Sequence, residues 1–212
     1  IIMEKATKTP KSIKAQITRA SLVVAAAAIL RAQGPGDVTY RRVAEWAGAS
    51  SSSVGYYFES IGDLLYEAAQ HNIALWAQRA EKAANEAEGM TQEQCRENCV
   101  ALLLRACLPE GLSVPAAHYA QLIDAAESLV VTQAYQRGRR RLDVALKGIL
   151  DQAGISMSPQ LVTAIVDGAA VKAISEGYDV FEIAETLLGE AVTAYGRLAD
   201  GVDAARQSSK AE

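Results

Sequence analysis

Four consecutive serines, Ser50, Ser51, Ser52 and Ser53, follow Ala47-Gly48-Ala49, and Tyr56 and Tyr57 close the same stretch. Short hydroxyl side chains at the exposed start of a helix approach base edges, and the positive end of the helix dipole favours a nearby phosphate. Taken alone, a serine run after glycine reads as a loop. Flanking short helices, the tyrosine pair and a basic surround shift the reading towards DNA contact. Other reactive residue types are sparse. Two histidines make a zinc site improbable, no Ser-His-Asp arrangement is suggested and no glycine-rich phosphate loop appears, so we expect no enzyme, no catalytic residues, no metal and no cofactor. Cys95, Cys99 and Cys107 lie at helical spacing among apolar neighbours, which points to reduced core thiols. The Arg137-Gly138-Arg139-Arg140-Arg141 run reads as a solvated helix face rather than a second nucleic-acid patch. His118 beside Tyr119 fits a pocket wall or a core face equally well.

Charge is distributed unevenly. The chain carries −4 overall, yet through Phe58 it has eight Lys or Arg against three acids, a surplus of +5 that leaves −9 on the remainder. A basic head on an acidic body places the phosphate-attracting field at one end. Half of the residues are apolar and alanine is abundant, which excludes a disordered chain and favours helices over strands. No signal peptide and no uninterrupted apolar run of about 18 residues is evident, and the stretch Leu22 to Leu30 is too short to span a membrane, so a cytoplasmic protein without membrane contact is expected.

The elements that must position the serines follow from start and stop signals. We expect an all-α chain of about nine helices. The first runs from Ser12 to Gln33 and is stopped by Gly34-Pro35-Gly36. Thr39 caps a short second helix ending at Gly48, and Ser50 caps a short third reaching Tyr57. Val43, Ala44, Ala47, Val54 and Phe58 form the small core that locks these two together across the Ala47 to Ser50 turn. Ser60 and Asp63 make a capping box for a long helix to Glu88, and Thr91 with Gln94 makes another for a helix to Leu108. A loop from Pro109 to Pro115, a helix to Ser128, one from Val131 to Ala153, one from Ser158-Pro159 to Glu176 and one from Asp179 to about Arg206 complete the chain, followed by a polar tail.

Two short helices joined by a glycine-containing turn, with a long helix before them, form the arrangement of a DNA-reading helix-turn-helix. The segment Thr39 to Leu65, TYRRVAEWAGASSSSVGYYFESIGDLL, resembles the signature of the tetracycline-repressor (TetR) family: the Thr, the Val-Ala pair, the Ala-Gly-x-Ser turn, the Tyr-Phe ending and the Ser-x-x-x-Leu entry fall at its spacing. The resemblance implies a ligand-responsive transcriptional repressor that binds a palindromic operator as a homodimer and is released by a small, largely apolar effector. It divides the chain into a helix-turn-helix domain with a basic arm, residues 1–60, and a ligand-binding and dimerisation domain, residues 61–212. It implies phosphate contacts at Thr39, Tyr40 and Arg41, with Arg41 able to reach a base edge, and puts Ser50 to Ser53 at the exposed start of the recognition helix with Tyr56 and Tyr57 at its end. Gly55 and Ile61 depart from the family's tyrosine and lysine, and the basic arm from Lys5 to Lys14 is expected to compensate. Because serine both donates and accepts, Arg41 and DNA shape are expected to supply much of the selectivity.

The eighth helix is apolar nearly all round and the ninth carries an apolar stripe, so the pair must bury two sides. A two-fold four-helix interface is the simple solution, with Leu161, Ile165, Gly168, Ala169, Leu187, Leu188, Ala191 and Tyr195 at the contact. If helices four to seven enclose an effector pocket, as in that family, the candidate lining is Trp76, Cys99, His118, Tyr119 and Tyr135. A helical enzyme and a scaffold that has lost DNA binding are the competing classes, and salt-dependent affinity for random duplex separates the regulator from both.

Overall fold

A computed structural model describes residues 12–108 and 115–208, with side chains throughout except at 115, 117, 118 and from 198 onward. The sequence expectations for Lys5, Lys8 and Lys11 of the arm, for the Pro109 loop, for the His118 side chain and for the end of the tail lie outside this description. Nine α-helices and no strand occur among the described residues: α1 Ile13–Gln33, α2 Tyr40–Trp46, α3 Ser51–Tyr57, α4 Ile61–Glu88, α5 Gln92–Cys107, α6 Pro115–Asp124, α7 Leu129–Ala153, α8 Pro159–Glu176 and α9 Val180–Ser208. The chain is all-α, as its alanine-rich composition implies.

The caps form as the side chains allow. Ser12, Thr39, Ser50, Thr91 and Ser158 each accept a backbone N–H three residues on, satisfying a donor that the helix itself leaves orphaned. Ser60 and Asp63 bond reciprocally, as do Thr91 and Gln94. Two boundaries differ from expectation. Helix α6 stops at Asp124 and tightens into a 3₁₀ turn over Ala125–Glu127, and α7 begins at Leu129, because the Ser128 carbonyl already accepts the first helical bond, from Thr132 at 3.0 Å. A second 3₁₀ turn, Pro35–Asp37, follows α1.

Contacts divide the chain into two compact units, one comprising the residues up to Ala74 together with Ala117–Gly138, the other Leu75–Ala116 together with Arg139 onward. In the first, Leu22, Ala26, Ile29 and Leu30 of α1 meet Val43, Ala44, Val54 and Phe58, and Leu64, Ala68 and Ala69 of α4 join the same core. Helix α1 is long and apolar enough to cross a membrane by length and composition, with a mean hydropathy of 1.5, although the interrupted run in the sequence suggested otherwise. Its apolarity has a use within the unit, since six of its residues are buried in this core. In the second unit α8 packs chiefly on α9, and both rest on α5. Leu102, Leu103, Leu146, Ile149, Leu150, Val166 and Leu188 are fully enclosed.

The arginine run on α7 is more engaged than a solvated face. Arg137 donates to the Tyr66 hydroxyl at 2.6 Å in the first unit, and Arg141 forks onto Glu81 at 2.8 and 2.9 Å in the second. The Arg141 contact holds the Glu81 carboxyl below its ordinary range. Gly138, between them, lets α7 approach α4: a Cβ there would overlap the γ carbons of buried Ile73. Gly138→Ala is therefore expected to lose ~1–3 kcal/mol of stability by overpacking in denaturant titration. Adding Ile73→Ala should recover part of that loss, giving a double-variant cost below the sum of the two single costs.

Candidate nucleic-acid interface

The joint between α2 and α3 is closed by backbone geometry. Gly48 takes φ +63°, a left-handed conformation that glycine adopts without steric cost. The Gly48 N–H then reaches the Glu45 carbonyl at 3.3 Å and the Ala49 N–H the Ala44 carbonyl at 2.8 Å, the paired bonds of a Schellman C-cap. Beneath it Val43, Ala44, Val54 and Phe58 are buried, and Ala47 packs against them, as the sequence reading proposed. Two short helices that could not stand alone in water are thus fixed by one small core and one turn.

The outer face carries the candidate contact groups. Thr39, Arg41, Ser51, Ser52 and Tyr56 are exposed, Ser53 and Tyr57 half-buried, and the Tyr56 and Tyr57 rings meet edge to face with centroids 5.1 Å apart. Ser50 is exposed as well, its oxygen capping α3 and lying 2.9 Å from the Ser52 and 2.8 Å from the Ser53 hydroxyl. Tyr40 turns inward. Its hydroxyl donates to the Phe58 carbonyl at 3.1 Å, tying α2 to the C-cap of α3. Burial, and then the Asp63 carboxylate, push the phenol above its ordinary value of 10.0, so it stays a donor at neutral pH. Gly55 lies beside this ring, a built Cβ falling 3.8 Å from it, and Ile61 is partly exposed at the first turn of α4.

The basic head is thinner at its surface than its composition suggests. Arg19 is paired with Glu67 and stacked over the Phe58 ring at 4.8 Å, Arg31 donates to Asn72 at 2.6 Å, and Arg42 is bonded to Asp37 and Gln33. Those three arginines are structural. Arg41 and Lys14 remain exposed among the described residues, with no ion pair to either. Sequence reasoning missed Arg19, Glu67, Asn72 and Gln121 as working residues. A signal existed: Arg19 falls in register with Leu22, Ala26 and Ile29 on the core stripe of α1, and Asn72 with Ala68, Ala69 and Ile73 on that of α4.

Of the candidate effector residues, Trp76 and Cys99 belong to the second unit, Tyr119 and Tyr135 to the first. Cys99 is fully buried, its thiol pushed up to about 12 by burial and the neighbouring Cys95, which itself donates to the Ile149 carbonyl at 3.6 Å. Neither is poised as a thiolate. Tyr119 is buried, and the Tyr135 hydroxyl accepts from Gln121 at 2.7 Å. A cavity of about 100 Å³ in the second unit is lined instead by Arg79, Lys82, Ala83, Glu86 and Arg105, none of them foreseen. Of the candidate dimer residues, Ala169 and Leu188 are enclosed by their own chain and lie beneath the α8–α9 surface; Leu161, Ile165, Ala191 and Tyr195 are half-buried, and Gly168 and Leu187 are exposed.

Because the Tyr40 hydroxyl joins α2 to the end of α3, Tyr40→Phe should keep the ring packing and lose ~0.5–1.5 kcal/mol of stability, read from the denaturant midpoint.

No protein-family model and no curated protein matches the chain. Solved structures do. The reduced form of Escherichia coli NemR superposes with a TM-score of 0.65 at 18% identity, covering 80% of this chain and 94% of that one. A TetR transcription regulator from Haloarcula marismortui gives 0.59 at 19% identity, over 88% and 98% of the two chains. SmeT, the repressor of the Stenotrophomonas maltophilia multidrug efflux pump SmeDEF, gives 0.57 at 18% identity, over 85% and 91%, and is also solved as a triclosan complex. Nearly the whole length of each is matched, and the chain has the fold of the TetR-family transcriptional regulators.

Proposed function

We propose that the chain is a TetR-family transcriptional repressor, cytoplasmic and not an enzyme, that binds a palindromic operator as a homodimer and is released by a small, largely apolar effector. One observation carries the reading: a helix-turn-helix locked by its own core leaves Thr39, Arg41, Ser51, Ser52 and Tyr56 exposed, with Ser53 and Tyr57 half-buried beside them. The hydroxyl, guanidinium and phenol groups of that surface suit phosphates and base edges. In this reading Tyr40 and Ser50 belong to the DNA-binding set as well, Tyr40 also tying α2 to the end of α3 and Ser50 also capping α3. Residues 1–60 form the DNA-binding head and residues 61–212 the sensing and dimerising body. Trp76, Cys99, His118, Tyr119 and Tyr135 stay the candidate effector contacts, and the triclosan complex of SmeT illustrates the ligand chemistry that the fold accepts.

Dimerisation is argued from α8 and α9. Their outer surface keeps Val171 at 51%, Phe181 at 39% and Leu187 at 37% exposure and the turn between them keeps Tyr178 at 57%, more apolar surface than two neighbouring helices of a lone chain need leave in water. A symmetric partner laying the same two helices against these would cover them and present two reading helices to one operator.

Selection of bound sequences from random duplex is expected to recover a palindrome, with affinity falling steeply as salt rises. Arg41→Ala should weaken the selected duplex by ~1–3 kcal/mol and relax specificity at one position per half-site. No affinity for any duplex in dilute buffer would reject the reading. The dimer has its own test. Gly168 has no atom within 4 Å of a built Cβ, so the lone chain accommodates a larger side chain there. Gly168→Trp should therefore shift sedimentation towards monomer while the helical circular dichroism holds, and an unaltered dimer would remove this face from the contact.

A further inference from the structure

Spacings of three and four residues set Arg79, Lys82, Ala83 and Glu86 on one face of α4. Arg105, in the last turn of α5, meets that face, and the five residues line the cavity of the second unit. At about 100 Å³ it is several times the ~10–15 Å³ that one water needs, so it takes a small polyatomic group. Ala83 is buried, and its methyl is the one apolar side chain among the five.

The charges of the lining choose the kind of group. Arg79, Lys82 and Arg105 against Glu86 leave a net +2, on a part of the chain that after Phe58 carries −9. Arg79 Nε and Nη2 are shielded from bulk water, so that guanidinium is screened less than a surface cation. Glu86 accepts from Arg105 at 2.9 Å, and both side chains are exposed. An exposed pair of this kind adds little stability, because water serves each partner nearly as well. An incoming oxyanion therefore takes over the Arg105 donors and returns Glu86 to solvent at small cost. Guanidinium groups fork onto pairs of oxygens, and an ammonium adds a compact charge. A phosphate group answers all three cations at once: its double negative charge matches the +2, and its terminal oxygens supply one acceptor or more for each side chain. A carboxylate offers one charge and two oxygens.

We propose that the cleft between α4 and α5 binds a phosphate group, with Arg79, Lys82 and Arg105 donating to its oxygens beside the Ala83 methyl. The site shares no residue with the candidate DNA or effector contacts, and its occupation does not depend on the regulator reading.

The test follows the amide resonances of the full chain as inorganic phosphate replaces chloride at constant ionic strength. Saturable shifts are expected at residues 79–86 and around Arg105. Lys82→Gln and Arg105→Gln change exposed side chains and should each weaken that binding by about fivefold. Glu86→Gln removes the competing carboxylate and should tighten it by about two- to fivefold, a change of opposite sign. Glycerol phosphate binding more tightly than inorganic phosphate would assign the site to a phosphate monoester and equal affinity would assign it to the free ion, both upholding the site. Acetate binding as tightly as phosphate would overturn the phosphate assignment. The absence of saturable shifts at these residues up to roughly 50 mM phosphate would overturn the site itself. So would one affinity shared by the wild type and all three variants, the mark of a general salt effect on the protein surface.

Discussion

Placement of α4 against α1 is the constraint on which the first unit depends. The interface is built largely from Ala25, Ala26, Ala68 and Ala69 together with Leu22, Ile29 and Leu64. Small side chains let the helices approach closely, but methyl groups specify register poorly, because one alanine contact resembles the next. Arg19 with Glu67, and Arg31 with Asn72, supply the missing specificity. Each polar group there is costly to leave unpaired, so alternative registers are penalised by far more than the net gain from the native bonds. Phe58 is held by the same fastening, since it is buried in the core, stacked by Arg19 and bonded through its carbonyl to Tyr40. The orientation of α3 is thereby set from α1, α2 and α4 together.

This arrangement separates the charged residues of the head by task. Composition counts Arg19, Arg31, Arg41 and Arg42 alike as contributors to a basic field. Three of the four spend their donors on internal partners, which neutralises part of that field and fixes helices instead. Arg41 projects outward next to the serine-bearing edge. Long-range attraction to phosphate depends on net charge and survives internal pairing only in part, whereas a base contact depends on one guanidinium being free and well placed.

A comparable division holds in the second unit. Cysteines at positions 95 and 99 suggest redox chemistry by type, yet desolvation raises both thiols away from the reactive thiolate. Arginines on α7 suggest a basic patch by type, yet Arg141 is spent on Glu81. In each case the neighbours decide what the residue does.

Helix number, order and most boundaries were legible in the chain itself. Caps and stops act within three or four residues, so Ser12, Thr39, Ser50, Ser60, Thr91 and Ser158 announce their helices locally, and Gly48 announces the turn. The outer face of the helix-turn-helix was legible for the same reason, because the few buried positions of two seven-residue helices leave little choice. Only the tertiary structure decided which polar residues look inward. Arg19 meets Glu67 across 48 positions and Asn72 meets Ala27 across 45. Nothing within a helical turn of either residue names its partner. The close pass of Gly138 over Ile73 and the commitment of Tyr40 to Phe58 follow from the same fact: local hydrogen bonding determines where a helix begins and ends, whereas long-range packing determines what each of its faces meets.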